Sequence, residues 1–261
     1  MLDLNPGLIF FLTALGLAFG SFSSAVIYRV PRNLSLGGRS KCPDCSHQLS
    51  PKLLIPIFSW IFYRGKCHYC KSRISLLYPL TELLCCAGIW LAFMASSGDL
   101  LKFTATAIFV LFGISLSSID IKTFTLPNSI VYLQFVLLLI VISAKSITTS
   151  SFTPLLTGLE GALIASAFYL ALHLLTGGMG MGDVKLSLSV GLMAGFYKIN
   201  WILVSTYLSF LLGALFSAYL IFFKSGGRKT KVPFGPFIIS GSILGFFLTN
   251  PISTWLTNLF N

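Results

Sequence analysis

Only seven acidic residues occur in 261, namely Asp3, Asp44, Glu82, Asp99, Asp120, Glu160 and Asp183, so each can be weighed for chemistry. Asp3, Asp44 and Asp99 lie in polar stretches that keep them hydrated, and Glu160 reads as an outer-interface acid. Asp120 and Asp183 differ. The first closes the uncharged run Phe103 to Ile119, and the second follows Gly177-Gly178-Met179-Gly180-Met181-Gly182. An ionisable group at membrane depth costs free energy unless it is paired or hydrated, and by default it marks function. Two carboxylates converging on one water can divide labour. Like charges a few ångström apart cannot both ionise cheaply, so one keeps a proton while the other takes one from water. The protonated member donates to a scissile carbonyl, which is aspartyl peptide hydrolysis and needs neither metal nor serine. The proton belongs to the pair, so neither residue is assigned acid or base. Gly180 and Gly182 remove side chains beside Asp183, and they predict a flexible turn with room for another chain. The bland alternative for either aspartate alone is an interfacial acid that reaches water or neutralises Lys122 or Lys185. Lys185 either tunes Asp183, holds the substrate backbone or anchors a helix boundary, and His173 reads as a packed or hydrogen-bonded span residue.

A second constellation is built from thiols. Cys42-Pro43-Asp44-Cys45 is followed, after 21 intervening residues, by Cys67-His68-Tyr69-Cys70. Two such pairs match a tetrahedral four-thiolate zinc site, each pair forming a knuckle that brings two sulfurs to one ion. Four thiolates leave no open coordination position, so the ion is expected to fold a stretch too small for its own core rather than to catalyse. His47 and His68 could substitute as ligands but read as ordinary loop residues, and Cys85 and Cys86 as small packing residues inside an apolar run. A redox shuttle would want one thiol pair on the far side of the membrane, against the charge pattern below.

The elements that must hold these groups are membrane helices. The chain is 55% hydrophobic and 10% charged, with a mean hydropathy of +0.87, which excludes a water-soluble globule. Apolar runs cover 8–27, 76–95, 103–119, 127–144, 155–176, 186–197, 201–223 and 233–249. Runs of about 20 residues cross the hydrocarbon as helices, since only helices or closed barrels satisfy the backbone there. The first run has no basic residue before it and ends in Tyr28-Arg29-Val30-Pro31-Arg32, so it reads as a retained span with its N-terminus outside. Eight spans then place 29–75, 120–126, 177–185 and 224–232 in the cytoplasm, together with 15 of the 18 bases; only Lys102, Lys145 and Lys198 fall outside. The net charge of +11 is therefore a topology signal rather than a nucleic-acid surface. The expected architecture is an all-α polytopic membrane protein of about eight transmembrane helices with a cytoplasmic four-cysteine zinc-binding loop. Its parts are a first helix at 1–28, the zinc-binding loop at 29–75 and a membrane core of about seven helices at 76–261. Both termini are expected in the periplasm.

Further blocks now identify a resemblance. Gly20-Ser21-Phe22, Val26-Ile27-Tyr28-Arg29-Val30-Pro31, the paired thiols, Ile55-Pro56 with Ser59-Trp60, Arg64-Gly65-Lys66-Cys67 and Tyr78-Pro79-Leu80-Thr81-Glu82-Leu83-Leu84 occur in order. Ile119-Asp120 with Leu126-Pro127-Asn128, and Gly180-Met181-Gly182-Asp183-Val184-Lys185, complete the series. The chain resembles the type IV prepilin peptidases, membrane aspartyl proteases of the Gly-x-Gly-Asp class. That resemblance implies catalytic aspartates at Asp120 and Asp183 and metal ligands at Cys42, Cys45, Cys67 and Cys70. It implies cleavage of the basic leader of type IV prepilins or type II secretion pseudopilins after a glycine, at the cytoplasmic face of a bacterial inner membrane. Many members then methylate the new N-terminus with S-adenosylmethionine, whose binding residues here are unassigned. Glu82 is the candidate for that half, facing the substrate amine or the cationic sulfonium, with pairing to Arg73 or Lys71 as its alternative. The chain departs from the family's pattern at Ser24, where Asn is common, and at Leu76-Leu77, where Arg is frequent.

Two other classes compete. An ion-coupled transporter with membrane acids predicts pH-dependent solute uptake and no peptide product, and no obvious inverted repeat supports it. A nonenzymatic zinc-dependent assembly module would tolerate loss of both aspartates and fail when Cys42 or Cys67 becomes Ser.

Overall fold

A computed structural model describes residues 5–223 and 231–259, with side chains described as far as residue 248. Asp3, Lys224, Arg228 and Lys229 lie outside the described residues. The helices follow from the apolar runs and from local capping. Helix α1 (Pro6–Arg29) starts with Asn5 accepting the Gly7 amide and Pro6 pre-set for the first turn. Short 3-10 turns at Val30–Arg32 and Pro51–Leu54 lead to α2 (Phe58–Phe62) and then α3 (Leu77–Ser96). Helix α4 (Leu100–Thr123) is capped by Asp99, which accepts the Leu101 and Lys102 amides. There follow α5 (Asn128–Thr148), α6 (Thr153–Thr176), α7 (Met181–Tyr197), α8 (Trp201–Phe223) and α9 (Gly235–Leu259). Among the described residues there is no strand, only two isolated bridges, Lys41 with Gln48 and Lys66 with Arg73. The protein is an all-α, multi-pass membrane protein.

The eight apolar runs fall on α1 and α3 to α9. Six of these helices are long and apolar enough by themselves to cross a membrane; the two outside that set are α7 and α9. Helix α7 has 17 residues and begins at Met181, five residues before its apolar run. Polar Gly182, Asp183 and Lys185 hid this start, because the helix borders protein on most sides and not lipid. It packs against α4, α5, α6, α8 and α9. A helix surrounded by other helices does not need the apolar coat of a lipid-facing one.

Contacts divide the chain into two compact units, residues 1–98 and 99–261. In the first, α1 lies on α3, and a Cβ on Gly20 would stand 2.4 Å from Glu82 Cα. In the second, α6 and α7 touch backbone to backbone: a Cβ on Gly161 would lie 2.2 Å from the Gly191 carbonyl oxygen, and one on Gly195 1.8 Å from that of Thr157. Apolar side chains gain nothing by leaving lipid for one another, so association depends on such close approach. Gly191 and Gly195, four residues apart on one face, thereby fix the axis that carries Asp183. At the other end of this unit, Lys145 Nζ donates to Asp99 Oδ2 at 2.5 Å and ties the start of α4 to the end of α5.

Candidate functional site

Asp120 sits in the last turn of α4 and is buried. The helix stops just beyond it, at Phe124, whose left-handed backbone (φ 53°) directs its amide back to the Asp120 carbonyl at 2.8 Å. The side-chain Oδ2 accepts the Gly235 amide at 3.0 Å. Asp183 sits in the first turn of α7 and is also buried. Its amide donates to the Gly180 carbonyl at 3.1 Å. The second unit thus collects both acids at helix ends, Asp120 at a C-terminus and Asp183 at an N-terminus.

Leu126 explains why glycines surround the pair. A Cβ on Gly182 would lie 3.0 Å from Leu126 Cβ, and a Cβ on Gly235 would lie 3.3 Å from Leu126 Cδ2 and 2.9 Å from Asp120 Oδ2. Buried Leu126 is therefore wedged between the two glycines and keeps the α4–α5 connection against the segments bearing Asp183 and Gly235. The structure differs here from the sequence expectation. Asp183 and Gly182 are not in a flexible turn: Gly182 is helical, and the chain reverses at Gly177 (φ 61°), which ends α6. His173 Nδ1 lies 2.7 Å from the Met179 carbonyl oxygen, bracing that turn.

Lys185 does not reach toward Asp183. Its Nζ donates to Asn128 Oδ1 at 3.0 Å and lies over the Tyr132 ring at 5.8 Å, joining α7 to the start of α5. Asn128 belongs to the Leu126-Pro127-Asn128 block that the sequence joined to Asp120, whereas Gly235 was not singled out there. Pro233-Phe234-Gly235-Pro236, a glycine held between prolines at the head of an apolar run, was the available signal.

In the first unit the four thiols converge. One ligand atom from each of Cys42, Cys45, Cys67 and Cys70 falls within 4.8 Å of the others. Tetrahedral zinc with Zn–S near 2.3 Å needs sulfurs about 3.8 Å apart, and the Cys42 and Cys70 sulfurs are 3.8 Å apart. The donor set fits zinc. Two equivalent knuckles build it: Ser46 N donates to Cys42 O at 2.9 Å and Cys42 N to His47 O at 3.0 Å, matched by Lys71 N to Cys67 O at 3.1 Å and Cys67 N to Ser72 O at 2.8 Å. Both turns need a left-handed residue, Ser46 (φ 56°) and Lys71 (φ 60°). Hydrogen bonding from the Ser72 hydroxyl and amide holds the Cys70 thiol down to about 6. The His47 amide draws Cys45 down, but desolvation and the neighbouring Cys42 and Cys70 outweigh it and push that thiol up to about 11. Crowded thiols resist successive ionisation, and a dication relieves the crowding. His47 stacks on Tyr69 with centroids 3.7 Å apart, while His68 sits edge-on to Tyr63 and Tyr69. Arg29 Nη1 clasps the preceding segment by donating to the Leu36 carbonyl at 2.6 Å and that of Gly37 at 3.1 Å.

Glu82 is buried on α3, where Oε2 accepts the Ile57 amide at 2.7 Å. Among the described residues no ion pair joins it to Arg73 or Lys71, and Lys71 Nζ donates to the His68 carbonyl instead. Ser24, one turn beyond Gly20 on α1, has a buried hydroxyl without a hydrogen-bond partner among the described residues. A buried carboxylate and an orphaned hydroxyl on this α1–α3 pair fit a polar ligand.

Comparison with known proteins bears on both units. Residues 14–96 match the Bacterial Peptidase A24 N-terminal domain, and residues 107–218 match the Type IV leader peptidase family. A Bacillus subtilis (strain 168) protein named prepilin leader peptidase/N-methyltransferase is 32% identical over 241 residues, covering 91% of this chain and 93% of its own. A Stutzerimonas stutzeri protein of the same name is 31% identical over 263 residues, covering 90% and 89%. One from Vibrio cholerae serotype O1 is 29% identical over 245 residues, covering 88% and 93%. No solved structure matches the chain significantly. With both halves matched in order and relatives aligned over nine-tenths of its length, the chain belongs to the type IV leader peptidase family.

Proposed function

We propose that this protein is a membrane aspartyl endopeptidase that removes the basic leader of type IV prepilins or type II secretion pseudopilins after a glycine, then N-methylates the exposed amine. The observation that carries this reading is the burial of Asp120 and Asp183 at helix ends of one unit, with Leu126 packed between Gly182, next to Asp183, and Gly235, which holds Asp120. The Gly235 amide occupies Asp120 Oδ2 and orients that carboxylate, leaving Oδ1 for the water. One acid withdraws a proton as the water attacks the carbonyl carbon, and the other donates to the carbonyl oxygen. The tetrahedral species then collapses, with a proton passing to the leaving amine. Gly182 and Gly235 keep Cβ atoms out of this space.

In the same reading 1–28 anchors the chain, 29–75 forms the zinc-binding loop and 76–261 is the membrane core. Cys42, Cys45, Cys67 and Cys70 would hold zinc, which supplies fold rather than chemistry because four thiolates close its coordination sphere. S-adenosylmethionine would supply the methyl group. Glu82 would face the cationic amine or sulfonium, with Ser24 nearby as a polar contact. The distribution of basic segments supports aspartates at the cytoplasmic face of a bacterial inner membrane and both termini in the periplasm. A cationic leader is held on that side while the apolar helix that follows it lies in the bilayer.

Co-expression with a prepilin tests the first step. Asp120→Asn and Asp183→Asn, each inserted at wild-type levels, are expected to leave the leader attached, a loss of at least about 10²-fold in rate for an acid or base removed. Unchanged processing in either variant would reject the site.

A further inference from the structure

The bond between Glu82 and Ile57 fixes the depth of a segment that the peptidase reading leaves without a role. Glu82 is the sixth residue of α3, about 7.5 Å along the axis from Leu77 at 1.5 Å per residue. Helix α3 is long and apolar enough to cross the bilayer. Its carboxylate takes the Ile57 amide at 2.7 Å, so Ile57, immediately before α2, is tied to the side of the first turns of a membrane helix. Ile57 has a positive φ (62°, with ψ −53°), which a β-branched residue rarely adopts, so the chain is bent to this position against local preference.

At that depth α2 turns apolar side chains outward. Phe58, Ile61 and Phe62 are 68%, 61% and 79% exposed, and Ile55 beside them is 48% exposed. Trp60 faces the other way, its Nε1 donating to the Ile74 carbonyl at 3.2 Å, so the segment has an inner and an outer side. Exposed apolar side chains gathered in one groove mark an interaction surface, and Lys52 lines the same groove. Charge selects the occupant. Between Cys45 and Thr81 there is no acid, and there are five bases: Lys52, Arg64, Lys66, Lys71 and Arg73. A cationic leader, which the proposed function assigns to the substrate, would be repelled from this surface. Anionic lipid would be attracted, with aromatic and aliphatic side chains at the acyl boundary and bases among the headgroups.

We propose that α2 is an interfacial anchor: Ile55, Phe58, Ile61 and Phe62 insert at the headgroup–acyl boundary of an anionic bilayer, Lys52 and Arg64 engage lipid phosphates, and the thiol loop is thereby seated on the membrane surface. Glu82, through the Ile57 amide, is the positioning residue that sets the depth.

The test uses the full chain in lipid nanodiscs of phosphatidylglycerol and phosphatidylcholine, with no pilin present, so its outcome is independent of the peptidase reading. The photocrosslinker p-benzoylphenylalanine replaces Phe58 in one variant and Phe62 in another, so that a misfolded variant at one position leaves the other to be read. Adducts are identified by mass. The expected result is lipid adducts from both positions, with phosphatidylglycerol enriched several-fold above its share of the membrane, and loss of that enrichment in Lys52→Glu/Arg64→Glu. Absence of lipid adducts, crosslinks to a second copy of the chain, or a lipid distribution unmoved by charge reversal would each overturn the proposal.

Discussion

Gly235 donates its amide to Asp120, and its lack of a side chain is what lets the bond form. A Cβ there would stand 2.9 Å from Asp120 Oδ2, one on Gly182 would stand 3.0 Å from Leu126 Cβ, and one on Gly180 would meet nothing nearer than Asp183 Oδ2 at 3.4 Å. The expected order of damage to cleavage is therefore Gly235→Ala greatest, Gly182→Ala intermediate and Gly180→Ala least, read as kcat/KM on a prepilin. Equal effects at all three would contradict the steric reading. Glu82 separates the two proposed activities. Glu82→Gln retains an oxygen for the Ile57 amide but removes the charge, so methylation of the mature N-terminus is expected to fall about 10-fold or more, the scale of a lost charge-assisted contact of 1.5–3 kcal/mol, while cleavage persists. Mass spectrometry of the pilin reads both. At this scale the sequence made the acids and the thiols legible, because acids are scarce in the chain and the thiols are regularly spaced. Gly235 was harder to see, since a glycine that contributes a backbone amide shows only through its neighbours, here Pro233-Phe234-Gly235-Pro236, and not through a reactive side chain.

Helix boundaries follow a different logic. Hydropathy located all eight apolar runs but began the run of α7 at 186, since polar residues at the head of a protein-surrounded helix look like loop. Asp183 was thus expected on a flexible turn and is instead on a rigid helix, held by Gly191 and Gly195 against α6. Gly195→Leu, which would drive a side chain into the Thr157 carbonyl, is expected to destabilise this unit and lower cleavage without touching either aspartate. The thiol loop was legible down to its ligands because two knuckles repeat one local geometry. Chelation of the metal, or Cys67→Ser, is expected to make residues 32–73 protease-sensitive while helical circular dichroism is largely retained. Metal retention is expected to fail on acidification, as thiolates protonate and release the ion. Asp99 supplies a second pH dependence. Burial raises its carboxyl, but Lys145 and the Lys102 amide outweigh this and hold it below the ordinary value. Its contribution is present above about pH 4, the ordinary aspartate value, and is lost as pH falls through the lowered one.

For the whole molecule, the basic segments supply the expectation of side. Fusion of reporters at 32–73 and at 145–153 is expected to find the first in the cytoplasm and the second in the periplasm; the reverse would invert the proposed site. In the proposed reading the same distribution suits one substrate with two dissimilar parts, an apolar helix that stays in the bilayer and a cationic leader that stays in water. Every step of the proposed hydrolysis still depends on Asp120 and Asp183 sharing a water at the scissile bond. The direct measurement is an experimental structure of the full chain with an uncleavable prepilin bound. The expected result is one carboxylate oxygen of each aspartate within about 3 Å, hydrogen-bond reach, of a common water or of the carbonyl beside the cleavage-site glycine. Carboxylates held too far apart to share that water, with the leader bound elsewhere, would contradict it.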